Sequence, residues 1–490
     1  MVSVGACSSH KGSSAPEDPN APGDPSAPPA PHSVAQNITL DEVAFFQSVK
    51  VSVAKGSDVP DRGSPATPIV AGREATVRVY VTPGDGWSPH DVTARLKITT
   101  RTPTGTLSQV FSATKTVDAA STDDKLDSTI NITVPGEALR AGATFAVVLN
   151  EDKGAAAKSP DSARFPRDGT FADLGVSAGG AKVRVMIVPV QYNADGSGRL
   201  PDTSDDQIKK YKDRFFQLYP AASVEITVRD PFPWGTVISP SGAGFREILM
   251  AMPGLHAQDS ADPDLYYYAA FEPAASFPQF CGGGCIAGLS AVGMPHSVGL
   301  GYNVVGNEGN IAAETAAHEV GHAHGLRHAP CGGAGNPDPA FPYAGGATGV
   351  WGLDPIDHKT LYPPSLDKDV MGYCPPTWIS DYHFTKIFSR VQTDNQLLAD
   401  RIAGVPARAY RAVHVSRDGS ATWTDGVHSR WPVNGEARAA TFEGARGETL
   451  ANESAYWFPF DHLPGGVLMV PDRSEPFARV RVADLGTIAR

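Results

Sequence analysis

The chain reads as a multidomain α+β protein: a central domain with a mixed, twisted sheet and a histidine-bearing helix, flanked by an N-terminal β-sandwich-like domain and a small C-terminal β domain. Three observations predict this. The 490 residues exceed what one hydrophobic core holds and suggest about three domains. Period-two alternation recurs in short runs at both ends, whereas the middle mixes continuous apolar stretches with apolar residues at three- and four-residue steps. The 50 glycines and 42 prolines supply the turns and long surface loops that β-rich domains need. The expected boundaries are 1–33 for a leader and tether, 34–178 for the sandwich, 179–398 for the central domain and 399–490 for the C-terminal domain.

At the start, Val4-Gly5-Ala6-Cys7-Ser8-Ser9 resembles a bacterial lipobox, which implies acylation of Cys7. Too few residues precede it for the basic and apolar parts of a secretory signal, so the expectation is of a chain that starts inside its own signal. Residues 8–33 are rich in Pro, Ala, Ser and Gly and cannot bury a core, which reads as a tether. In Thr76-Val77-Arg78-Val79-Tyr80-Val81-Thr82 the valines share one face, and the runs 92–99, 126–134 and 144–149 are similar. No metal cluster or nucleophile constellation falls among them, so a binding module or spacer is expected there, with a latency prodomain as the competing idea.

The central domain opens at Lys182-Val183-Arg184-Val185-Met186-Ile187-Val188-Pro189-Val190, an apolar strand of the kind found inside a sheet. A helix follows: Ile208, Tyr211, Phe215 and Leu218 recur on one face after the polar start Thr203-Ser204-Asp205-Asp206, and Pro220 stops it. Further strands are predicted at 224–228, at 265–270 and between Ile286 and Val305. Asn310 is a good N-cap for the next helix, whose small residues Ala312, Ala313, Ala316 and Ala317 imply close packing on the sheet.

That helix carries His318-Glu319-Val320-Gly321-His322-Ala323-His324-Gly325-Leu326-Arg327-His328, the pattern H-E-x-x-H-x-x-G-x-x-H. His318 and His322 sit one turn apart on the same face, so two imidazoles can reach one ion. Gly325 can take the positive φ that ends the helix and turns the chain, which brings His328 back as a third ligand. Three neutral imidazoles leave the fourth tetrahedral position of a Zn2+ ion to water, the mark of a catalytic rather than a closed structural site. Glu319 lies about 100° round the helix from His318, where its carboxylate can act as the base that activates a zinc-bound water. His324 lies on another face and reads as a surface or packing residue.

The run resembles the zinc signature of the metzincin metallopeptidases. That family carries a methionine turn beneath the zinc, and Asp369-Val370-Met371-Gly372-Tyr373-Cys374 matches it through Met371. The resemblance implies that Tyr373 is a fifth ligand or stabilises the oxyanion of the tetrahedral intermediate; packing its ring beside the helix is the alternative. It also implies that an edge strand before the helix pairs with an extended peptide substrate, for which 299–304 is the candidate. The segment Trp378-Ile379-Ser380-Asp381-Tyr382 is similar to secreted bacterial metallopeptidases of the mucinase-like group.

Of the five cysteines, Cys281, Cys285, Cys331 and Cys374 gather round this region. In an exported protein they could form two disulfides, with Cys281–Cys285 and Cys331–Cys374 preferred and two other connectivities open. A second zinc site made of these thiols would need paired C-x-x-C spacing, which the sequence lacks. The Gly/Pro/Asp-rich stretch from His328 to Met371, with Trp351, Asp354 and Asp357, is expected to shape the pocket on the leaving-group side. It has no calcium-loop motif, so Ca2+ is unsupported. Phe384, Ile387, Phe388 and Val391 mark a closing helix, and short strands return at 410–415, 466–470 and 478–482. Trp423 and Trp431 could stack on sugars, with core packing as the alternative.

A net charge of -12 without a Lys/Arg block argues against nucleic acid and anionic membrane surfaces as partners. No apolar run approaches the roughly 20 residues of a membrane span. The expectation is therefore a monomeric zinc endopeptidase of extracellular proteins or glycoproteins, held at a bacterial envelope only through Cys7 or released. The competing classes are a surface-tethered binding protein with a catalytically silent zinc domain and a zinc hydrolase of a non-peptide amide.

Overall fold

Alternation along Ala75–Pro83 and Ile38–Phe46 puts Val77, Val79, Val43 and Phe45 on one buried face, and the strands pair accordingly. The computed structural model describes residues 33–151, 161–306, 309–404, 408–416, 418–424 and 435–490. The expectations for Cys7, the tether and Trp431 lie outside them. Two antiparallel sheets form the N-terminal domain. One runs Ser33–Val34, Thr144–Glu151, His90–Thr102, Gly105–Val117; the other contains Ser48–Lys55, Ile38–Phe46, Ala75–Pro83 and Ile130–Val134. Val92, Ala94 and Leu96 of the first meet Val77 and Val79 of the second in one core, the packing of a β-sandwich. The run predicted over 126–134 divides into a turn of 3-10 helix, Leu126–Ser128, and the strand Ile130–Val134.

The central sheet is built from Ser223–Val228, Lys182–Tyr192, Leu265–Phe271, His296–Leu300 and Gly288–Ser290, in that order. The first four are parallel and the last is antiparallel. Both faces are covered, which is why Lys182–Tyr192 reads as an unbroken apolar run. Val183, Val185 and Ile187 share a core with the helices Asp205–Leu218, Ile311–Ala323 and Asp381–Ile402. Val188 and Val190 point the other way, into a core with the helix Phe245–Gln258 and with Tyr410, Phe458 and Phe460 of the C-terminal sheet. That sheet orders Ala421–Trp423, Tyr410–Val415, Gly466–Pro471, Thr449–Pro459, Glu436–Glu443, Arg479–Val482 and Gly486–Ala489. Trp423 donates from Nε1 to the Ala489 carbonyl at 2.6 Å and tilts against Phe477, so its ring serves packing.

Two expectations are corrected. The candidate edge strand 299–304 is not an edge: His296–Leu300 is hydrogen-bonded on both sides, and the sheet ends at Gly288–Ser290. A buried parallel strand and a buried edge strand share the same apolar texture, so local pattern did not separate them. The stretch beyond His328 also does something other than shape a pocket along its whole length. Gly352–Leu353 and Leu361–Tyr362 form a hairpin that joins the N-terminal sheet beside Ser48–Lys55. Asp357 spends its carboxylate on a local turn, accepting from the amides of Lys359 and Thr360, whereas Asp354 accepts from the Ile356 amide and, at 2.7 Å, from Gln217 Nε2 on the helix Asp205–Leu218.

The N-terminal and central domains therefore share backbone pairing as well as a core. Buried Arg73 strengthens the joint: its guanidinium donates to the carbonyls of Phe216 at 2.7 Å, Ala221 at 3.2 Å and Tyr219, and to Ser48 Oγ at 2.7 Å. These carbonyls belong to the C-terminal end of the helix Asp205–Leu218 and the turn after it, where unpaired acceptors and the helix dipole both favour a cation. Trp378, fully buried, adds a hydrogen bond from Nε1 to the Ser48 carbonyl at 2.9 Å.

Candidate metal centre

The helix Ile311–Ala323 starts at Asn310, whose side chain accepts from the Ala313 amide at 3.0 Å. Ala312, Ala313, Ala316 and Ala317 are buried against the sheet, leaving His318 and His322 on a face that looks along it. Gly325 adopts φ 92° with open space around a hypothetical Cβ, so its backbone conformation is what demands glycine. The chain then reverses, and His328 joins the other two.

His322 Nε2 lies 3.2 Å from His318 Nε2 and 3.1 Å from His328 Nε2. Each ring's other nitrogen faces a backbone carbonyl: His318 Nδ1 to Val370 at 2.8 Å, His322 Nδ1 to Leu326 at 2.8 Å, His328 Nδ1 to Gly335 at 2.6 Å. A carbonyl only accepts, so every Nδ1 carries the proton, and three Nε2 lone pairs point at one another. Such an arrangement is repulsive unless a cation sits among them. A tetrahedral ion about 2.0–2.1 Å from each nitrogen separates its ligand atoms by about 3.4 Å, close to the spacing found. Burial, then the neighbouring histidines, push the imidazoles toward the neutral form, His318 down to about 3 and His322 and His328 in the same direction. The donor set thus fits a divalent metal held by His318, His322 and His328.

The turn 369–374, which holds Met371, packs beneath these histidines. Met371 is fully buried, and a Cβ on Gly321 would come within 2.7 Å of its Sδ. The same turn supplies the Val370 carbonyl that orients His318. Buried Asp369 holds the turn, accepting from the amides of Met371 at 2.8 Å and Ser380 at 2.9 Å, with His383 Nδ1 2.7 Å away. Carbonyl and carboxylate partners of this kind fix the tautomer and direction of a ligand. The disulfides Cys281–Cys285 and Cys331–Cys374 are both present. The second ties the segment after His328 to the methionine turn.

Glu319 is buried under the edge strand. Ser290 Oγ lies 2.9 Å from its Oε2, and a Cβ on Gly288 would fall 2.4 Å from its Oε1. Tyr373 Oη is 3.0 Å from His328 Nε2, so its phenol oxygen reaches the histidine cluster. His324 stacks on Tyr266 with ring centroids 4.0 Å apart and is buried, a packing role. From the loop beyond His328, Gly335 and Asn336 line the pocket around the centre.

Sequence reasoning missed two residues here. Asp461 and His462, from the hairpin loop between Thr449–Pro459 and Gly466–Pro471, enter the centre. His462 Nδ1 is 3.1 Å from Tyr373 Oη and its Nε2 3.5 Å from Glu319 Oε1, and its ring stacks on His328. Asp461 Oδ2 is 3.4 Å from His322 Nε2. Burial, followed by this neighbouring carboxylate, pushes the Glu319 carboxyl well above the usual range. The only local signal was an Asp-His pair on a Pro/Gly turn, Asp461-His462-Leu463-Pro464-Gly465, which does not reveal its distant partner.

A family model described as Peptidase M66 matches residues 290–375, a span that opens at Ser290 and closes just past the methionine turn. It contains all three histidines, Glu319, Met371 and Tyr373. No curated protein matches the chain. The match supports a peptidase of the metallo type.

Proposed function

We propose that the chain is a zinc-dependent endopeptidase of metzincin type that hydrolyses peptide bonds of extracellular proteins or glycoproteins. The observation that carries this reading is the convergence of three imidazole lone pairs beside the buried Glu319 carboxyl. An all-imidazole donor set suits zinc. Bound there, zinc supplies a Lewis acid that polarises a carbonyl and eases loss of a proton from water. Glu319 takes that proton as the water attacks and returns it to the departing amine. Ser290 Oγ holds the carboxylate in place, and Tyr373 Oη donates to the oxygen that gains charge. Substrate backbone pairs with the edge of the sheet at Gly288, since Ser290 is already paired with Asp461, leaving specificity to side-chain pockets. The two disulfides support an oxidising, extracellular setting, and Cys7 is the proposed point of lipid attachment.

The test is cleavage of a panel of unstructured proteins and heavily O-glycosylated mucins by wild type and Glu319→Ala, with cut sites mapped by mass spectrometry. Cuts that vanish in Glu319→Ala, while zinc content is retained, are expected. Equal cleavage by both proteins would remove Glu319 as the base. Residues flanking the cuts would show whether glycans are read.

A further inference from the structure

The hairpin loop that carries His462 is fastened to the edge strand. The Val292 amide donates to the Pro459 carbonyl at 2.9 Å, the Asp461 amide to the Ser290 carbonyl at 3.2 Å, and the Ser290 amide to Asp461 Oδ1 at 2.9 Å. Ala291 and Phe460 pair as an antiparallel bridge, and Phe460 is buried in the core shared by the central and C-terminal domains. His462 follows this anchored segment directly. Its ring stacks on His328, with centroids 5.1 Å apart and planes 15° from parallel. It also lines a cleft of about 570 Å3 together with Tyr373 and Leu463 and with Cys285, Ile286 and Ala287, which lead into the edge strand. A substrate backbone paired at Gly288 shares this cleft with the His462 ring.

Within the cleft the ring reaches both groups assigned to the chemistry. Nδ1 lies 3.1 Å and Nε2 3.3 Å from Tyr373 Oη, and Nε2 lies 3.5 Å from Glu319 Oε1. The ring thus turns an edge toward the phenol, and whichever nitrogen carries the proton is within reach of it. Tyr373 Oη has His328 Nε2 as its other partner at 3.0 Å, and that lone pair is taken once a metal is bound. Donors separated by 3.1 Å form a near-equilateral triangle with an acceptor about 2.7–3.1 Å from each, the distance at which developing negative charge is stabilised.

We propose that His462 is a catalytic residue: together with Tyr373 it donates a hydrogen bond to the carbonyl oxygen of the scissile bond as that oxygen gains negative charge. The proposal rests on the peptidase reading above. It makes the C-terminal sheet part of the catalytic apparatus, because without the hairpin the oxygen has one side-chain donor instead of two. No covalent bond to His462 forms or breaks, and the proton lost by water still travels through Glu319. The competing account is structural: His462 Nδ1 is 3.2 Å from an Asp461 carboxylate oxygen, and on that account the ring serves only to seat the hairpin on His328.

The test uses the full chain loaded with Zn2+, as wild type, His462→Phe and His462→Gln. Phenylalanine keeps a ring against His328 and removes the donor; glutamine restores an N–H near the Nε2 position. Circular dichroism and melting check folding, and His462→Leu takes the place of His462→Phe if that variant does not fold. On a peptide cut by wild type, kcat should fall about 100-fold or more in His462→Phe, the loss for one oxyanion donor, and His462→Gln should recover at least about tenfold of it. KM should stay within about threefold of wild type, since the interaction is made in the transition state. Two readouts need no turnover. An alanine-based phosphinic pseudopeptide, whose tetrahedral phosphorus carries oxygens in place of the attacked carbonyl, should bind about 100-fold more weakly to His462→Phe in calorimetry and regain affinity in His462→Gln. Zinc affinity, from competition with a chromophoric chelator, should be the same in all three proteins. Equal phosphinate binding by wild type and His462→Phe, or a zinc affinity that falls in step with phosphinate binding, would overturn the proposal and leave the ring a structural support. Absence of cleavage in every form, with the phosphinate and zinc results as expected, would leave His462 an oxyanion donor and count against the peptidase instead. A wild type that binds no phosphinate would sink both.

Discussion

Replacing Gly321 by alanine tests how the methionine turn supports the metal. The new Cβ would lie 2.7 Å from Met371 Sδ, 3.4 Å from its Cε and 3.5 Å from Tyr219 Oη. Restoring ordinary contact moves the thioether by about 0.7 Å, and Met371 is fully enclosed, so the turn must move with it. Overpacking of this kind costs about 1–3 kcal/mol. Alanine gains about 1 kcal/mol over glycine inside a helix, which leaves a net loss of about 0–2 kcal/mol in the metal-free protein. The effect on the metal is larger. The moving turn carries the Val370 carbonyl that orients His318, and loosening such a partner lowers affinity about 10–100-fold. Zinc competition with a chromophoric chelator measures the second quantity, and urea denaturation of metal-free protein the first. A variant stabilised by about 1 kcal/mol with unaltered zinc affinity would refute the reasoning, because only the helix-propensity term would then be at work.

Two further outcomes are expected. Arg73→Ala removes the Arg73 donor from the Phe216 and Ala221 carbonyls, while the Tyr219 carbonyl keeps the Ala221 amide, and should lower stability by about 4 kcal/mol, a sum over two groups of penalties of 1–3 kcal/mol per buried unpaired group; a loss under about 1 kcal/mol in urea denaturation would show that water replaces the guanidinium. His296 is buried with neither ring nitrogen hydrogen-bonded, and burial, then His256, holds its pKa well below the ordinary value. The unfolded chain binds a proton near pH 6.5 and the native chain does not, so stability present above pH 6.5 is lost as pH falls, by about 1.4 kcal/mol per unit. His296→Phe should lower the slope between pH 6.5 and 5 by up to about 1.4 kcal/mol per unit, leaving the share of other buried histidines such as His324; an unchanged slope in the variant would exclude His296 as a source.

The sequence by itself determined whatever depends on short-range geometry. His318, Glu319 and His322 are placed by helical periodicity, and His328 by the positive φ of Gly325, so the clustering of the three histidines was legible before any tertiary contact was known. The same holds for Asn310 as a cap and for the alternation along Ala75–Pro83; for the cysteines the sequence left three connectivities open, and the structure selects Cys281–Cys285 and Cys331–Cys374. Tertiary structure decided which strand is the edge, since burial gives His296–Leu300 and Gly288–Ser290 the same apolar character and only their neighbours differ. It also decided that Gly352–Leu353 belongs to the N-terminal sheet and that Arg73 joins two domains. Above all it brought Asp461 to Ser290 across 171 positions of sequence. No periodicity reaches that far: the contact arises because the C-terminal sheet buries Phe458 and Phe460 against the open face of the central sheet, and the turn that follows is thereby carried into the metal centre.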